Sequence, residues 1–256
     1  MGSFPGNGIR RIGYVWPQGC DTIPVVSDGA ETVCDRYTRR ADKQGIADAM
    51  TAGMPEFDIQ PSYNVAPQTL QPVVRLNCVT GEREIVLMLW GLLPLWEADL
   101  KIGVPRINAK GESVSTAPAY CDSFARRRCL IPADAFYEWQ KLGAKTRQPY
   151  AIALKTGGIY AFAGIWDRWR EPKSGRRLDT FAIITTDANE VVAPLHNRMP
   201  VIIERKDYAR WLRPSDPWAT PVDLLRPYPA EEMTAWKIGS GVSNVKNDSS
   251  ELLKPI

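Results

Sequence analysis

Residues 150–186 read YAIALKTGGIYAFAGIWDRWREPKSGRRLDTFAIITT. Three runs rich in β-branched and aromatic residues, 150–154, 159–166 and 180–186, are divided by Gly157-Gly158 and by the polar stretch 171–177. The pattern predicts strands turning back on one another as a meander, not a βαβ series. Upstream, 72–77 and 84–90 flank Thr80-Gly81 and predict a hairpin. Helical spacing is confined to short stretches: 41–52, with Ile46, Ala49 and Met50 on one stripe, then 117–127, 188–193, 206–212 and 222–226. The second of these ends before Cys129-Leu130-Ile131, an apolar stretch that Pro132 is expected to stop, and the tail from Gly239 is polar and loop-like. Strands joined in this way by short helices predict one α+β domain over residues 34–256, built on a mainly antiparallel, curved or barrel-like sheet with short peripheral helices.

The first 33 residues differ. Residues 1–32 hold six glycines and three prolines without a sustained period, and are read as a poorly ordered N-terminal extension. Over the whole chain, 44% apolar residues and nine tryptophans can fill a substantial core. No apolar run approaches the roughly 18 to 20 residues of a membrane span, and no signal-like apolar stretch opens the chain, so a cytoplasmic protein without membrane contact is expected. Five cysteines, Cys20, Cys34, Cys78, Cys121 and Cys129, form an odd set lacking any C-x-x-C spacing. Reduced thiols are expected, with no disulfide framework, metal or cofactor.

A net charge of +3 does not by itself imply nucleic acid. Three arginine clusters, Arg36/Arg39/Arg40, Arg126-Arg127-Arg128 and Arg168/Arg170, are open to two readings: solvated faces, or parts of a phosphate path. His196, the one histidine, stands between Pro194 and Pro200. It is either a proton-transfer group on a stiffened loop or a structural, hydrogen-bonded ring. Glu138, among Phe136, Tyr137 and Trp139, is either desolvated toward a useful acid/base range or exposed on a sheet edge. Asn108 and Lys110 suit a substrate oxygen and a phosphate, although asparagine is also common in turns. Cys34 offers only a thiol inside a chain; at the start of one it offers a thiol and an amine on adjacent carbons, a pair that traps an aldehyde in a ring.

Several blocks occur in succession: Cys34-x-Arg36-Tyr37, Tyr63-Asn64-Val65-Ala66-Pro67, Trp90-Gly91-Leu92-Leu93-Pro94, Ile107-Asn108-Ala109-Lys110, Arg127 through Asp134, Phe136-Tyr137-Glu138-Trp139, and Pro194 through Pro200. In this order, from Cys34 to about Asp248, the chain resembles the SOS response-associated peptidase family, also called abasic-site processing proteins. The resemblance implies a monomer that acts in the DNA-damage response, binds single-stranded DNA at abasic sites and links itself to the sugar aldehyde as a thiazolidine through an N-terminal cysteine. It further implies that Cys34 is the nucleophile, that Glu138 and His196 move protons, and that Asn108 holds the amine or a sugar hydroxyl. Arg36, Lys110, Thr185 and Arg198 would bind phosphates, and Trp90 and Pro67 would pack against separated bases.

Three positions depart from the family pattern. Val33 precedes the cysteine, Asp35 replaces glycine, and Lys110 replaces arginine, giving up the bidentate fork. Cys34 is expected to become N-terminal either because Val33 is the true start, encoded by GTG, or because the Val33–Cys34 bond is cleaved. Two other activities fit the same residues: a cysteine peptidase with Cys34, His196 and an orienting Asn108 or Glu138, and a non-covalent single-stranded DNA-binding module.

Overall fold

The computed structural model describes residues 34–97, 106–144 and 146–256, so the expected extension over residues 1–33 lies outside them. In chain order the elements are β1 (Tyr37–Arg39), α1 (Lys43–Met50), β2 (Ser62–Val65), β3 (Leu70–Leu76), β4 (Arg83–Trp90), β5 (Asn108–Lys110), α2 (Cys121–Arg126), β6 (Arg128–Ala133) and β7 (Ala135–Lys141). There follow β8 (Arg147–Leu154), β9 (Tyr160–Arg170), β10 (Arg177–Asp187), β11 (Arg198–Pro200), β12 (Ile202–Ile203), α3 (Tyr208–Leu212) and β13 (Met233–Lys237).

Five strands close on themselves in the order β10-β4-β3-β6-β9 and back to β10. Closure is possible because β9 and β10 have eleven residues each, about 36 Å of extended chain, and change partners along their length. Thus β10 pairs antiparallel with β9 over Arg177 to Ile183, parallel with β4 at Thr180 and Phe181, parallel with β5 at Ile183 to Thr185, and antiparallel with β11 at its end. Gly164 makes the β6 approach possible, since a Cβ there would lie 2.1 Å from Ile131 Cδ1. Both faces of these strands are covered. Val74, Leu130, Ala163 and Ile184 pack with Ile46, Phe124 and Trp211 of the helices, whereas Val73, Ile131, Phe162 and Phe181 pack with Phe136, Ile152, Tyr37 and Cys34. Double burial explains why the strands read as continuous apolar runs and not as alternating ones.

The second sheet has the order β13-β8-β7-β1-β2. It is joined to the barrel through Asp134, the single residue between β6 and β7. Asp134 is buried and accepts from Thr38 Oγ1, from Arg40 N (2.6 Å) and from Arg40 Nε (2.7 Å), while its own N–H donates to Thr38 O (3.0 Å). One carboxylate therefore pins the three-residue β1 to the bend of a much longer strand.

The expected hairpin forms as β3 and β4, and α1 forms within 41–52. The expected meander holds for β9 with β10 but not for β8 with β9. Gly157 and Gly158, both at positive φ, carry the chain out of one sheet and into the other, so β8 pairs with β7 and β13 instead. Pro132 does not end its strand, since β6 continues to Ala133 in register with β9. The helix expected over 117–127 shortens to Cys121–Arg126, 188–193 makes turns only, and 222–226 keeps a single 3-10 turn. Among the described residues, no helix is long and apolar enough to cross a membrane.

Among the described residues, Arg128 is buried without a carboxylate partner. Its guanidinium donates to Phe124 O, Ala125 O (2.9 Å), Trp211 O (2.6 Å) and Arg213 O, carbonyls at the C-terminal ends of α2 and α3. The negative ends of two short helices thus supply the compensation an acid would otherwise give. Arg128→Met is expected to lower stability by about 3–5 kcal/mol, because it orphans several buried carbonyls at once. Urea unfolding checks this: the midpoint falls while the slope stays unchanged, and a midpoint near that of the parent protein refutes the capping role.

Candidate active site around Cys34

The short strand β1 lies between β7 and β2, with Tyr37 opposite both Phe136 and Val65. Tyr137 N donates to Arg36 O (3.0 Å), which extends this register and brings Cys34 to the level of Glu138. There the backbone nitrogen of Cys34 donates to Glu138 Oε1 at 2.8 Å, a contact between residues 104 positions apart. Cys34 is fully buried and has φ +42°, left-handed backbone that costs a non-glycine residue about 1 kcal/mol.

Glu138 is only 3% exposed because β7 runs inside its sheet, between β8 and β1; the edge-exposed reading of this carboxylate is therefore overturned. Burial pushes its carboxyl up to about 8, against the hydrogen bond from Cys34 N, and the charge of Asp35 adds to the rise. Burial likewise pushes the Cys34 thiol well up, with further contributions from Glu138 and Asp35. His196 falls below its ordinary value, chiefly through burial, and it too lies within electrostatic range of Asp35. Asp35 is thus the common neighbour of all three groups.

The loop carrying His196 is held by His196 N to Val192 O (3.0 Å) and by Ala188 N to Asn197 O (3.1 Å). Nδ1 of His196 accepts the backbone N–H of Arg198 at 3.0 Å, so in the neutral ring the proton belongs on the buried Nε2. Asn108 enters from β5, placed opposite Ile183 by the parallel pairing with β10; Lys110 follows, exposed, opposite Thr185. Arg36 Nη1 donates to Asn64 Oδ1 (3.2 Å) and Val242 O (3.0 Å).

Two expected DNA contacts are corrected. Trp90 is fully buried, 6.2 Å from Phe181 in a stacked pair and 5.3 Å from Tyr37, with Nε1 donating to Ile107 O at 3.0 Å. It has no face left for a base. Six residues on, Trp96 is 63% exposed with Arg106 over its ring at 5.6 Å, and it is the aromatic that this segment presents to solvent. Thr185 is 2% exposed in the middle of paired strands, with its carbonyl taken by Gly111 N and Arg198 Nη2, so its side chain does not reach a phosphate. Pro67 is half-buried in the turn before β3. Four of the clustered arginines are engaged within the protein. Arg39 and Arg128 are buried against carbonyls, Arg127 pairs with Asp122 and Asp167, and Arg168 pairs with Asp179.

Asn64 organises the site's outer wall, a role not read from the sequence. Its Nδ2 lies 3.1, 3.1 and 2.9 Å from the carbonyls of Val242, Asn244 and Asn247. Asp248 in turn accepts from Tyr63 N and Ser62 Oγ. The expected loose tail is therefore folded against β2, with two 3-10 turns of its own, over 240–243 and 250–253. A buried asparagine inside a strand, where that residue is disfavoured, was the available signal.

The Glu138 carboxyl ordinarily titrates near 4.5 and here near 8, so between these values the folded protein keeps a proton that the unfolded chain has released. Its stabilising contribution is full below the lower value and is lost as pH rises through the higher one. Glu138→Gln keeps the acceptor oxygen and cannot ionise. Its melting temperature is expected to vary less than the parent's from about pH 5 to about pH 9, and to exceed it at the upper end. Parallel curves for the two proteins would rule out a carboxyl that titrates in this window.

The family model described as SOS response associated peptidase matches residues 33–245. The chain is 38% identical over 228 residues to the abasic site processing protein YoqW of Bacillus subtilis strain 168, covering 87% of this chain and 99% of that protein. It is 32% identical to the abasic site processing protein HMCES of Gallus gallus, over 77% of this chain and 67% of that one. A crystal structure of a Bacteroides thetaiotaomicron protein superposes with a TM-score of 0.77 at 25% identity, covering 87% of this chain and 100% of the other. Matched from the residue before Cys34 into the tail that Asn64 holds, the chain belongs to the SOS response associated peptidase family.

Proposed function

We propose that this chain processes abasic sites in single-stranded DNA as part of the DNA-damage response, and that it captures the sugar aldehyde covalently through Cys34 as the mature N-terminal residue. The observation that carries this reading is the 2.8 Å contact between the Cys34 nitrogen and the buried Glu138 carboxyl. Once Cys34 begins the chain, that nitrogen is the α-amine, already seated on an acid/base group. The names of the relatives, abasic site processing proteins, point to the same substrate.

The chemistry balances on this chain's own groups. His196 gives its Nε2 proton to the ring oxygen as the sugar opens to its aldehyde, and in the same step the proton released by the C1′ hydroxyl returns to Nε2 through water, so the imidazole ends neutral. The neutral amine attacks C1′, and one of its protons passes to the former carbonyl oxygen, giving a carbinolamine. Glu138, protonated at neutral pH, donates to that hydroxyl; water leaves and the nitrogen lone pair forms an iminium. The carboxylate then takes the thiol proton while Sγ adds to C1′, closing the five-membered ring and restoring the acid. A thiol kept neutral by burial suits this order, in which nitrogen reacts first. Asn108 holds the amine or a sugar hydroxyl, Arg36 and the exposed Lys110 meet flanking phosphates, and Pro67 with Trp96 supports displaced bases.

Exposure of the amine has its own support. The peptide nitrogen to be freed at Cys34 already faces an acid able to protonate it as a leaving group, and Cys34 sits in costly left-handed backbone. Autocatalytic cleavage of the Val33–Cys34 bond fits these facts, as does a start at Val33 with removal of the first residue. A general cysteine peptidase fits poorly, because the thiol is raised and Nδ1 of His196 is occupied.

The test compares the full-length chain with a protein beginning at Cys34, each incubated with an abasic single-stranded oligonucleotide and run on a denaturing gel. The protein beginning at Cys34 is expected to give a covalent band that Cys34→Ala and Glu138→Gln respectively abolish and slow by about 10²-fold or more. A full-length chain that stays at its original mass yet crosslinks equally well would overturn the role of the amine. Binding without any covalent band from either protein would leave a non-covalent DNA-binding module.

A further inference from the structure

We propose that Tyr160, with Tyr37 beside it, is a positioning residue for the sulfur of Cys34: the two phenol hydroxyls are donors kept for Sγ as the ring closes. The proposal rests on the capture reaction proposed for Cys34. Cys34, Tyr37 and Tyr160 belong to one packed cluster, in which the rings of Tyr37 and Tyr160 both meet Phe162 edge-on, at 5.8 and 5.5 Å. Tyr37 is fully buried and Tyr160 is 4% exposed. Among the described residues of this cluster, theirs are the buried hydroxyls without a hydrogen-bond partner. A buried hydroxyl left unpaired is destabilising, and phenylalanine would fill either position at no such cost.

Neither hydroxyl is a spare member of another network. Tyr160 stands opposite Ala133 across β6 and β9, next to Asp134, but both oxygens of that carboxylate are occupied, Oδ1 by Thr38 Oγ1 and Arg40 Nε and Oδ2 by Arg40 N. Tyr37 shares β1 with Arg39, whose terminal nitrogens donate to Ala41 O and Gln60 O. What the two phenols have in common is Cys34, which lies within electrostatic range of each. The barrel, through β9, and the second sheet, through β1, thus supply one donor apiece. The chemistry calls for such donors. When the Glu138 carboxylate takes the thiol proton and Sγ adds to C1′, negative charge gathers on sulfur inside a packed cluster. A cationic side chain there would repel the iminium that sulfur attacks, whereas two neutral O–H groups stabilise the sulfur charge without opposing the carbon. Each phenol keeps its proton throughout, so no atom is transferred beyond those of the capture itself.

The experiment uses the protein beginning at Cys34, as parent, Tyr160→Phe, Tyr37→Phe and the double variant, on an abasic single-stranded oligonucleotide with and without cyanoborohydride. Cyanoborohydride reduces the imine and so records attack by nitrogen, whereas a band formed without it records closure by sulfur. Tyr160→Phe is expected to leave the first band within about twofold of the parent and to form the second about tenfold more slowly, with the double variant slower still. Both rings stay in place in these variants, and melting temperatures are expected to hold or rise, since an unpartnered hydroxyl is removed. The proposal is overturned if Tyr160→Phe and the double variant close at the parental rate, or if both bands slow together, which marks a packing effect on the amine. A melting temperature that falls while the two bands keep their ratio also overturns it, as the sign of a structural hydroxyl. If the parent gives no band under either condition, the proposed function fails instead. Alkylation of Cys34 by iodoacetamide, followed by peptide mass spectrometry, then decides: a rate about tenfold lower in Tyr160→Phe supports the donor, and equal rates refute it.

Discussion

A nitrogen atom near the start of the domain rests on a carboxyl group 104 residues later, and the surrounding architecture serves to keep them together. A three-residue strand cannot hold its place by its own hydrogen bonds. β1 is fixed by pairing on both sides, by the fully buried Tyr37 ring among Trp90 and Phe162, and by the buried Asp134 that grips Thr38 and Arg40. Loosening any of these would move Cys34 away from Glu138. The barrel supplies the rigid body to which Asp134, at the bend between its wall and the second sheet, connects this strand.

In the capture reaction proposed for this site, electrostatics sets the order in which nitrogen and sulfur react. An isolated carboxylate buried to 3% exposure is unfavourable in its charged form, and Glu138 responds by keeping its proton to about 8. The same burial holds the thiol neutral. A site of this kind favours a nitrogen nucleophile assisted by an acid, with sulfur following once a cation has formed beside it. Asp35 strengthens both shifts.

Local pattern revealed the elements whose partners are near in sequence. β3 and β4 are separated by a short turn, and β9 and β10 by a polar one, so alternation and turn chemistry sufficed. β8 and β9 are just as close, yet they part company, because β8 completes the sheet that covers Cys34 while β9 closes the barrel. Nothing local distinguishes these cases, since Gly157-Gly158 suits a hairpin and a change of sheet equally. The arginine clusters misled for a related reason. Arg127 ends α2 and meets Asp122 and Asp167 near the surface, whereas Arg128 opens β6 and turns inward to four carbonyls, a division that adjacency in sequence does not reveal.

The order of the sequence blocks that contain Cys34, Asn108, Glu138 and His196 was legible without coordinates, and with it the family. A mostly antiparallel α+β domain followed from strand and turn patterns alone. Only the tertiary structure decided that Glu138 is buried and not on an edge, that Trp90 belongs to the core while Trp96 faces solvent, and that Arg198 is already bound by Glu112, Asp187 and Thr185. The physical reason is the same in each instance. Burial, charge state and donor occupancy depend on neighbours brought in from distant parts of the chain, whereas local spacing records only which face of its own element a side chain occupies.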